Sequence, residues 1–187
     1  MPFSLKIPLV SLFVFLGACA SDPVHYHTLM APHAGGAPQG ASADIQLERI
    51  TVPPQVDRTE IVIRQGSSGL AVLEFEWWGA SLADEFQSAL EDQLNAGGSQ
   101  RKSFLRVDVQ RFDSLPGQYA LLEATWRLRS MGASKNVIEM TCHNTLQTPA
   151  GASIEDLVMA HQNNVKRLAA TISQATRGTS SDCPKVQ

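Results

Sequence analysis

The chain has 187 residues, of which 43% are hydrophobic and 18% are charged, and its formal net charge is −3. These values are ordinary for a globular protein of about one domain, and such a chain can bury a core without metals or a dense disulfide framework. The acidic balance argues against nucleic-acid binding, because a protein that follows a phosphate backbone needs clustered Lys and Arg.

The N-terminus has the pattern of a bacterial lipoprotein signal peptide. Lys6 supplies a weak positive charge, and an apolar run follows from Ile7 to Leu16. That run is too short to span a bilayer, which takes ~20 residues, but it has the length of a signal-peptide core. It ends in Leu16-Gly17-Ala18-Cys19, which is similar to a lipobox. We therefore predict a signal peptide over residues 1–18 and lipidation of Cys19. The alternative is an ordinary secretory signal with an incidental cysteine.

Lipidation would make the mature chain a membrane-anchored protein. Removal of residues 1–18 takes away Lys6, so the net charge of −3 falls by one to −4. No later segment is long and apolar enough to cross a membrane, and each buried CH₂ of an acyl chain contributes ~0.8 kcal/mol to anchoring. Ala20 follows Cys19, whereas an Asp at that position would favour the inner membrane in enteric-type bacteria. We therefore expect the periplasmic face of the outer membrane.

The first part of the mature chain indicates short strands. The candidates are Val24–Leu29, Asp44–Val52, Glu60–Arg64 and Leu70–Phe75. Residues 31–43 are rich in Ala, Gly and Pro, which is typical of a flexible loop. The apolar phase slips between Leu47 and Ile50, which predicts a bulge. Residues 65–69 have good turn chemistry for joining the third and fourth strands.

The second part predicts two helices around three strands. Ser81 with Asp84, and Ser153 with Asp156, form capping boxes, and the helices end near Gly97 and Arg177. The strands between them centre on Leu105–Val109, Leu122–Leu128 and residues 136–148, and the first two flank Pro116-Gly117 as a hairpin. Each helix has one apolar stripe that must cover a sheet. We predict an α/β (α+β) fold over residues 19–187: a single domain with a mixed, mostly antiparallel sheet covered by two main helices, and a loose tail from about residue 178.

No motif points to catalysis. His25 and His27 would share one face of a strand near His33, as metal ligands can, but no cysteine or carboxylate cluster completes the set nearby. His161 is expected in the core, and His143 should point away from Cys142. Acidic residues are expected on the solvated face of the first helix: Asp84, Glu85, Glu91 and Asp92. We predict no catalytic residue, no metal and no cofactor, and hence a protein that is not an enzyme.

Two cysteines remain once Cys19 carries lipid. Export would place Cys142 and Cys183 in an oxidising compartment, where a pair can form a lasting disulfide. Cys142 alternates with Ile138 and Met140 and should face the core, whereas Cys183 lies beyond the last helix. We predict a disulfide that pins the tail over the sheet. The alternative is a buried thiol at Cys142 and a loose one at Cys183.

Three segments carry a family resemblance. A lipobox is followed by Val-His-Tyr-His-Thr-Leu, then by Ile-Thr-Val-Pro-Pro-Gln-Val-Asp-Arg-Thr-Glu-Ile-Val-Ile-Arg, then by Phe-Glu-Trp-Trp-Gly-Ala-Ser-Leu. This pattern resembles the ABC-transport auxiliary lipoproteins of the PqiC/YmbA type. The departures are His27, where the family often has Tyr, and Val56, where Leu is common. The matching positions are Tyr26, Leu29, Val52, Pro53, Asp57, Arg58, Ile61, Val62, Arg64, Trp78, Ala80 and Leu82.

The resemblance implies a non-catalytic accessory subunit of an MCE-type lipid-transport system. In such a system an inner-membrane component and a periplasmic MCE-domain protein form a path between the membranes. The lipoprotein would dock at the outer-membrane end and would self-associate.

Asp57, Arg58, Trp77 and Trp78 are the candidate partner contacts, since Trp is enriched at interface hot spots. The alternative for Asp57 and Arg58 is a salt bridge that fixes the loop between two strands. One of the two tryptophans is expected in the core.

Two other functions stay open. A lipid- or protein-binding periplasmic chaperone would show a deep apolar pocket. A periplasmic hydrolase would show a buried, mutually bonded nucleophile and base.

Overall fold

A computed structural model describes residues 22–32, 45–95, 102–131, 137–177 and 182–184. The predicted signal peptide with Cys19, most of the 31–43 loop with His33, and most of the C-terminal tail lie outside these residues. The described elements are β1 His25–His27, β2 Ile45–Thr51, β3 Glu60–Gln65, β4 Gly69–Trp78, α1 Leu82–Asn95, β5 Ser103–Leu115, β6 Tyr119–Met131, β7 Val137–Pro149 and α2 Ile154–Arg177.

The strands form two sheets, whereas the sequence predicted one. The first has the order β1-β4-β3 and the second has the order β2-β5-β6-β7. Three pairings are antiparallel, namely β3–β4, β5–β6 and β6–β7, while β1–β4 and β2–β5 are parallel. The predicted α+β class is confirmed. The division into two sheets escaped prediction because each parallel partner lies some 50 residues away along the chain, as in the pairing of His25 with Glu76.

Local signals end both helices close to where the sequence predicted, whereas β4 and β5 are longer than the predicted Leu70–Phe75 and Leu105–Val109. Gly66 and Gly117 lie in the β3–β4 and β5–β6 turns with φ of 63° and 72°, a conformation that costs glycine no steric strain. The predicted bulge in β2 is present between Leu47 and Arg49. Both capping boxes form, because Ser81 Oγ accepts from Asp84 N at 3.3 Å and Ser153 Oγ accepts from Asp156 N at 3.1 Å.

The core lies between the four-stranded sheet and the two helices. Alternate residues of β5, β6 and β7 face the helices, and the fully buried Trp126 donates its indole N–H to Asn144 Oδ1 at 2.6 Å. That bond satisfies the polar edge of a large apolar side chain. The described helices include none with the length and hydropathy needed to span a bilayer. The apolar side chains that the two helices bury include Leu82, Phe86, Leu90, Leu94, Leu157, Val165, Leu168 and Ile172.

A buried carboxylate joins the two sheets. Asp113 on β5 lies 2.7 Å from Arg64 Nε on β3 and 2.5 Å from Arg111 Nη2 on its own strand. Beside it, Trp78 of β4 meets Phe112 edge to face, with ring centroids 6.4 Å apart. The carboxylate is compensated by two guanidinium groups, which is the condition for keeping a charge inside a protein.

Cys142 and Cys183 are joined by a disulfide, with their Cα atoms 5.6 Å apart. Cys142 faces the core as predicted and is almost fully buried. The bond therefore holds residues 182–184 of the tail against β7.

We expect the exported protein to carry this bond, and non-reduced peptide mass spectrometry should show the Cys142 and Cys183 peptides linked. Cys183→Ser should lower the free energy of unfolding by up to about 4 kcal/mol, because it frees a loop closed over 41 residues. Urea unfolding of the oxidised protein measures the change, and chemically reduced wild type is the matched control. Two free thiols in protein purified from the periplasm would contradict the expectation.

Candidate docking surfaces

Asp57 and Arg58 each have a separate partner. Asp57 Oδ1 accepts from the backbone N of Ala83 at 3.1 Å, in the first turn of α1. Arg58 Nε lies 3.3 Å from Glu60 Oε2. The carboxylate at a helix N-terminus is favourable both as an acceptor for a free N–H and as a charge near the positive end of the dipole. Asp57 thus fixes the β2–β3 connection to α1, which is a structural role, and it does so without the Arg58 salt bridge that the sequence suggested.

The two adjacent tryptophans divide between core and surface. Trp78 is 3% exposed, so it has no surface to offer a partner, and its candidacy as a contact residue is withdrawn. Trp77 is half-buried, its ring meets that of Tyr26 edge to face at 6.2 Å, and its Nε1 donates to Glu74 O at 3.0 Å. Of this pair, Trp77 alone reaches the surface.

A carboxylate lies between the two strand histidines. His27 Nε2 is 2.5 Å and His25 Nδ1 is 3.1 Å from the two oxygens of Glu76, which neighbours them on β4. Partial burial would raise the pKa of Glu76, but the hydrogen bonds from His27 and His25 outweigh it and hold the pKa below its ordinary value. The sequence missed this partner because it lies on a distant strand. Within the described ranges no group of three His, Cys, Asp or Glu side chains could hold a metal ion.

Glu85 corrects another expectation. It was predicted on the solvated face of α1, but it is 9% exposed, and its Oε2 accepts from Thr28 Oγ1 at 2.7 Å and from Leu29 N at 2.9 Å. Its position three residues after Leu82 and four before Ala89 places it at the edge of the apolar stripe, and that was the available signal. Gln162 of α2 adds bonds to the carbonyls of Thr28 and Met30 at 3.0 and 3.3 Å.

The face of the four-stranded sheet that points away from the helices carries a row of arginines. Arg49, Arg106 and Arg127 are direct cross-strand neighbours on β2, β5 and β6, and we call them the arginine row. Arg106 Nε lies 2.7 Å from Glu48 and Arg127 Nε lies 3.6 Å from Glu139. The ion pairs between described residues on this face involve Arg106, Arg127 and Arg129, and none of them includes Arg49. The row lines a groove of about 390 Å³ with Thr51, Asp108, Thr125 and Thr141.

The sequence pointed to this surface only in part. Alternation along β6 placed Arg127 and Arg129 opposite the buried residues, but it could not show which residues of β2 and β5 lie beside them. The strand register shows that Arg49 and Arg106 are the neighbours of Arg127. His143 also lies on this outer face, 3.2 Å from Glu123, as its predicted direction opposite Cys142 requires.

A serine and a histidine are bonded in the core. Ser114 Oγ lies 2.9 Å from His161 Nε2, and Phe112 stacks on the imidazole at 3.8 Å. Both polar side chains are nearly inaccessible, and no described residue forms a hydrogen bond with His161 Nδ1 to orient the ring as a general base would need. Burial lowers the pKa of His161 from 6.5 to about 3, so it is neutral inside the fold. The pair is core packing closed to a substrate, and the expectation of a core histidine is confirmed.

We expect His161 to make stability fall in mild acid. Below pH 6.5 the unfolded chain binds a proton at His161 that the folded protein does not bind until about pH 3. The free energy of unfolding should therefore drop by about 2 kcal/mol between pH 7 and pH 5. His161→Phe should abolish this part of the pH dependence, while His143→Gln on the outer face should leave it in place. Urea unfolding at both pH values measures the slopes, and equal slopes for wild type and His161→Phe would refute the assignment.

Solved structures show that the fold occurs elsewhere. The chain matches the crystal structure of a protein described as uncharacterized with a TM-score of 0.59 and 14% identity, covering 82% of this chain and 99% of that one. It matches a protein from Xanthomonas campestris with a TM-score of 0.57 and 16% identity, covering 82% and 94% of the two chains. At these identities the likeness shows the fold alone. No curated protein matches the chain in sequence.

The family is shown by a sequence profile. The profile described as the ABC-type transport auxiliary lipoprotein component matches residues 27–173. The match begins at the last residue of β1 and ends four residues before the end of α2, so it includes β2 to β7 and α1 in full and most of α2. The chain therefore belongs to the family of ABC-type transport auxiliary lipoprotein components.

Proposed function

We propose that this protein is an outer-membrane lipoprotein that serves as a non-catalytic accessory subunit of an MCE/ABC-type intermembrane lipid transport system. Family membership supports the accessory role, and the lipobox-like segment supports an anchor at Cys19. The MCE-domain partner, its inner-membrane component and self-association are drawn from the resemblance of the Asp57 and Trp78 segments. The observation that carries the proposal is the arginine row, which is the docking surface.

The arginine row suits an acidic partner segment. Like charges on directly opposed strand positions are unfavourable. Glu48 is shared between Arg106 and Arg129, Glu139 lies 3.6 Å from Arg127, and Asp108 in the groove accepts from Thr51, so these carboxylates offset the arginines only in part. Guanidinium groups bind carboxylates through two parallel hydrogen bonds, and Arg is enriched at protein interfaces. An acidic segment laid along the groove would supply the missing negative charge.

The side chains on the outer face of the four-stranded sheet can also change without disturbing the core. Side chains alternate across a strand, so Arg106 and Arg127 point away from the core that Leu105, Val107 and Trp126 build. Changes in the row therefore leave packing intact. A lipid-anchored domain reaches high effective concentration near partners in the same envelope, so modest contacts suffice.

The chaperone alternative has less support. The groove on the arginine row and a second groove of about 400 Å³ on α2 are lined mainly by charged and polar side chains. An acyl chain held by the protein would need an enclosed apolar cavity.

We expect Cys19→Ser to abolish lipidation and release the protein from membranes, because the thiol is the acyl acceptor. Cys183→Ser changes the other cysteine outside the sheet and should leave anchoring unchanged. Ala20→Asp should move the protein from outer to inner membrane in an enteric host. Density-gradient fractionation with acyl labelling reads all three. Membrane retention of Cys19→Ser together with an unlabelled wild type would disprove the anchor.

We expect the double variant Arg106→Glu/Arg127→Glu to weaken binding to the periplasmic part of the MCE partner by at least about tenfold, because it reverses the charge of the docking groove. The control is Lys166→Glu/Arg177→Glu, which makes the same charge change on exposed positions of α2. Pull-down and titration at low and at physiological salt measure the effect.

Equal loss in both double variants would mean that net charge, and not the arginine row, governs binding. A wild-type domain that fails to bind even when several copies are displayed together would defeat the accessory role.

A further inference from the structure

An aromatic pair stands exposed where the chain enters the fold. Tyr26 is 68% exposed although it lies in a strand, and its register partner on β4 is Trp77. Their rings meet edge to face at 6.2 Å, and Val24 just before β1 is exposed as well. Single exposed apolar residues are normal on protein surfaces, but a contacting aromatic pair marks a contact site more specifically.

The pair lies close to the proposed lipid. Tyr26 follows Cys19 by seven residues, and an extended chain spans at most about 3.6 Å per residue, so the Cα of Tyr26 lies within about 25 Å of the Cα of Cys19. All other described elements come later in the chain. The first strand is therefore the described element that the shortest stretch of chain joins to the proposed lipid.

The segment that carries Tyr26 is attached firmly to the domain. Glu76 bonds both flanking histidines, Glu85 bonds Thr28 and Leu29, and Gln162 bonds the carbonyl of Thr28. β1 therefore cannot swing away from the domain as a loose arm. A short tether that joins a fixed strand limits how the whole domain can stand on a membrane.

The chemistry of the pair fits the interfacial layer of a bilayer. Tyr and Trp collect at membrane–water interfaces because each has an apolar ring with a polar edge. The neighbouring Glu74 and Glu76 disfavour a strongly anionic surface and favour zwitterionic head groups.

We propose that Tyr26 and Trp77 rest in the head-group layer of the membrane that holds the acyl chains of Cys19, so that the domain stands on the bilayer in one orientation. This inference rests on the lipid anchor of the proposed function. The occupant of the aromatic pair is the bilayer itself.

Tryptophan emission tests the contact directly. The chain has three tryptophans, and Trp78 and Trp126 are 3% and 0% exposed, so Trp77 is the one that quenchers at the surface can reach. The lipidated mature protein is reconstituted in phosphatidylcholine vesicles whose acyl chains carry bromine near the head groups. The Trp77 signal, obtained by subtracting Trp77→Phe, should fall at least twofold relative to vesicles without bromine.

The matched control moves the probe to the far end of the sheet. Val137 is exposed and lies nine residues before Leu146 on β7. Leu146 and Phe112 both pair with Leu122 in the sheet, and Phe112 contacts Trp78, the neighbour of Trp77. The separation of Val137 from Leu146 is about 30 Å along a strand. Trp77→Phe/Val137→Trp should show no bromine quenching, and Tyr26→Ser should reduce the quenching of Trp77.

Flotation of the vesicles separates the two claims. Protein that floats without quenching of Trp77 overturns the orientation and leaves the anchor standing. Protein that does not float overturns the anchor and this inference with it. Equal bromine quenching of Trp77 and of the tryptophan at position 137 would mean that the domain has no preferred orientation. If Trp77 is not quenched by bromine but becomes shielded from iodide as the protein concentration rises, a second copy of the chain covers the aromatic pair. Either result refutes the proposal.

Discussion

Two carboxylates hold the start of the mature domain in place. β1 has only three residues, and a strand so short gains few ladder hydrogen bonds and would fray by itself. Glu76 forms hydrogen bonds with the two histidines on one face of β1. Glu85 accepts hydrogen bonds from the hydroxyl of Thr28 and the backbone N–H of Leu29, and the side chain of Leu29 is buried in the core. The point at which the chain enters the fold is therefore fixed. The docking and membrane proposals both depend on that constraint, because it turns a tethered domain into an oriented one.

The two faces of the four-stranded sheet differ, because one packs in the core and the other carries the proposed docking surface. Its inner face meets the helices through Trp126 and its neighbours, and its outer face carries the arginine row. Because side chains alternate, the two faces share a backbone but no contacts. The joint between the sheets is different, since Arg64 and Arg111 are used to compensate the buried Asp113. Arginine thus has a structural role at the joint between the sheets and a solvent-facing position on the outer face, and only the burial of its partner carboxylate distinguishes the two.

Sequence patterns predicted what depends on near neighbours. The capping boxes at Ser81 and Ser153, the hairpin turn at Gly117 and the inward direction of Cys142 each follow from residues within one element or turn. What the sequence could not supply was register between distant strands. Glu76 beside His25, Arg49 beside Arg106, and the burial of Glu85 against Thr28 all join segments some 50 residues apart. Trp77 and Trp78 show the limit within a single strand: adjacency requires opposite directions, but only packing against Phe112 shows which one is core.

Orientation and docking are linked by the length of the tether. A long flexible linker would let the arginine row bind a partner in any orientation of the domain, but the effective concentration of the domain near that partner would be lower. Only five residues separate Cys19 from the first strand, so the proposed lipid at Cys19 would keep the domain within a few nanometres of the bilayer. A short tether raises the effective concentration only if the domain can contact the membrane and the partner at the same time. The partner must then present its acidic segment at the height of the arginine row above the membrane. In the proposed orientation the aromatic pair would set that height, so contact of Tyr26 and Trp77 with lipid would determine which partner surfaces the arginine row can meet.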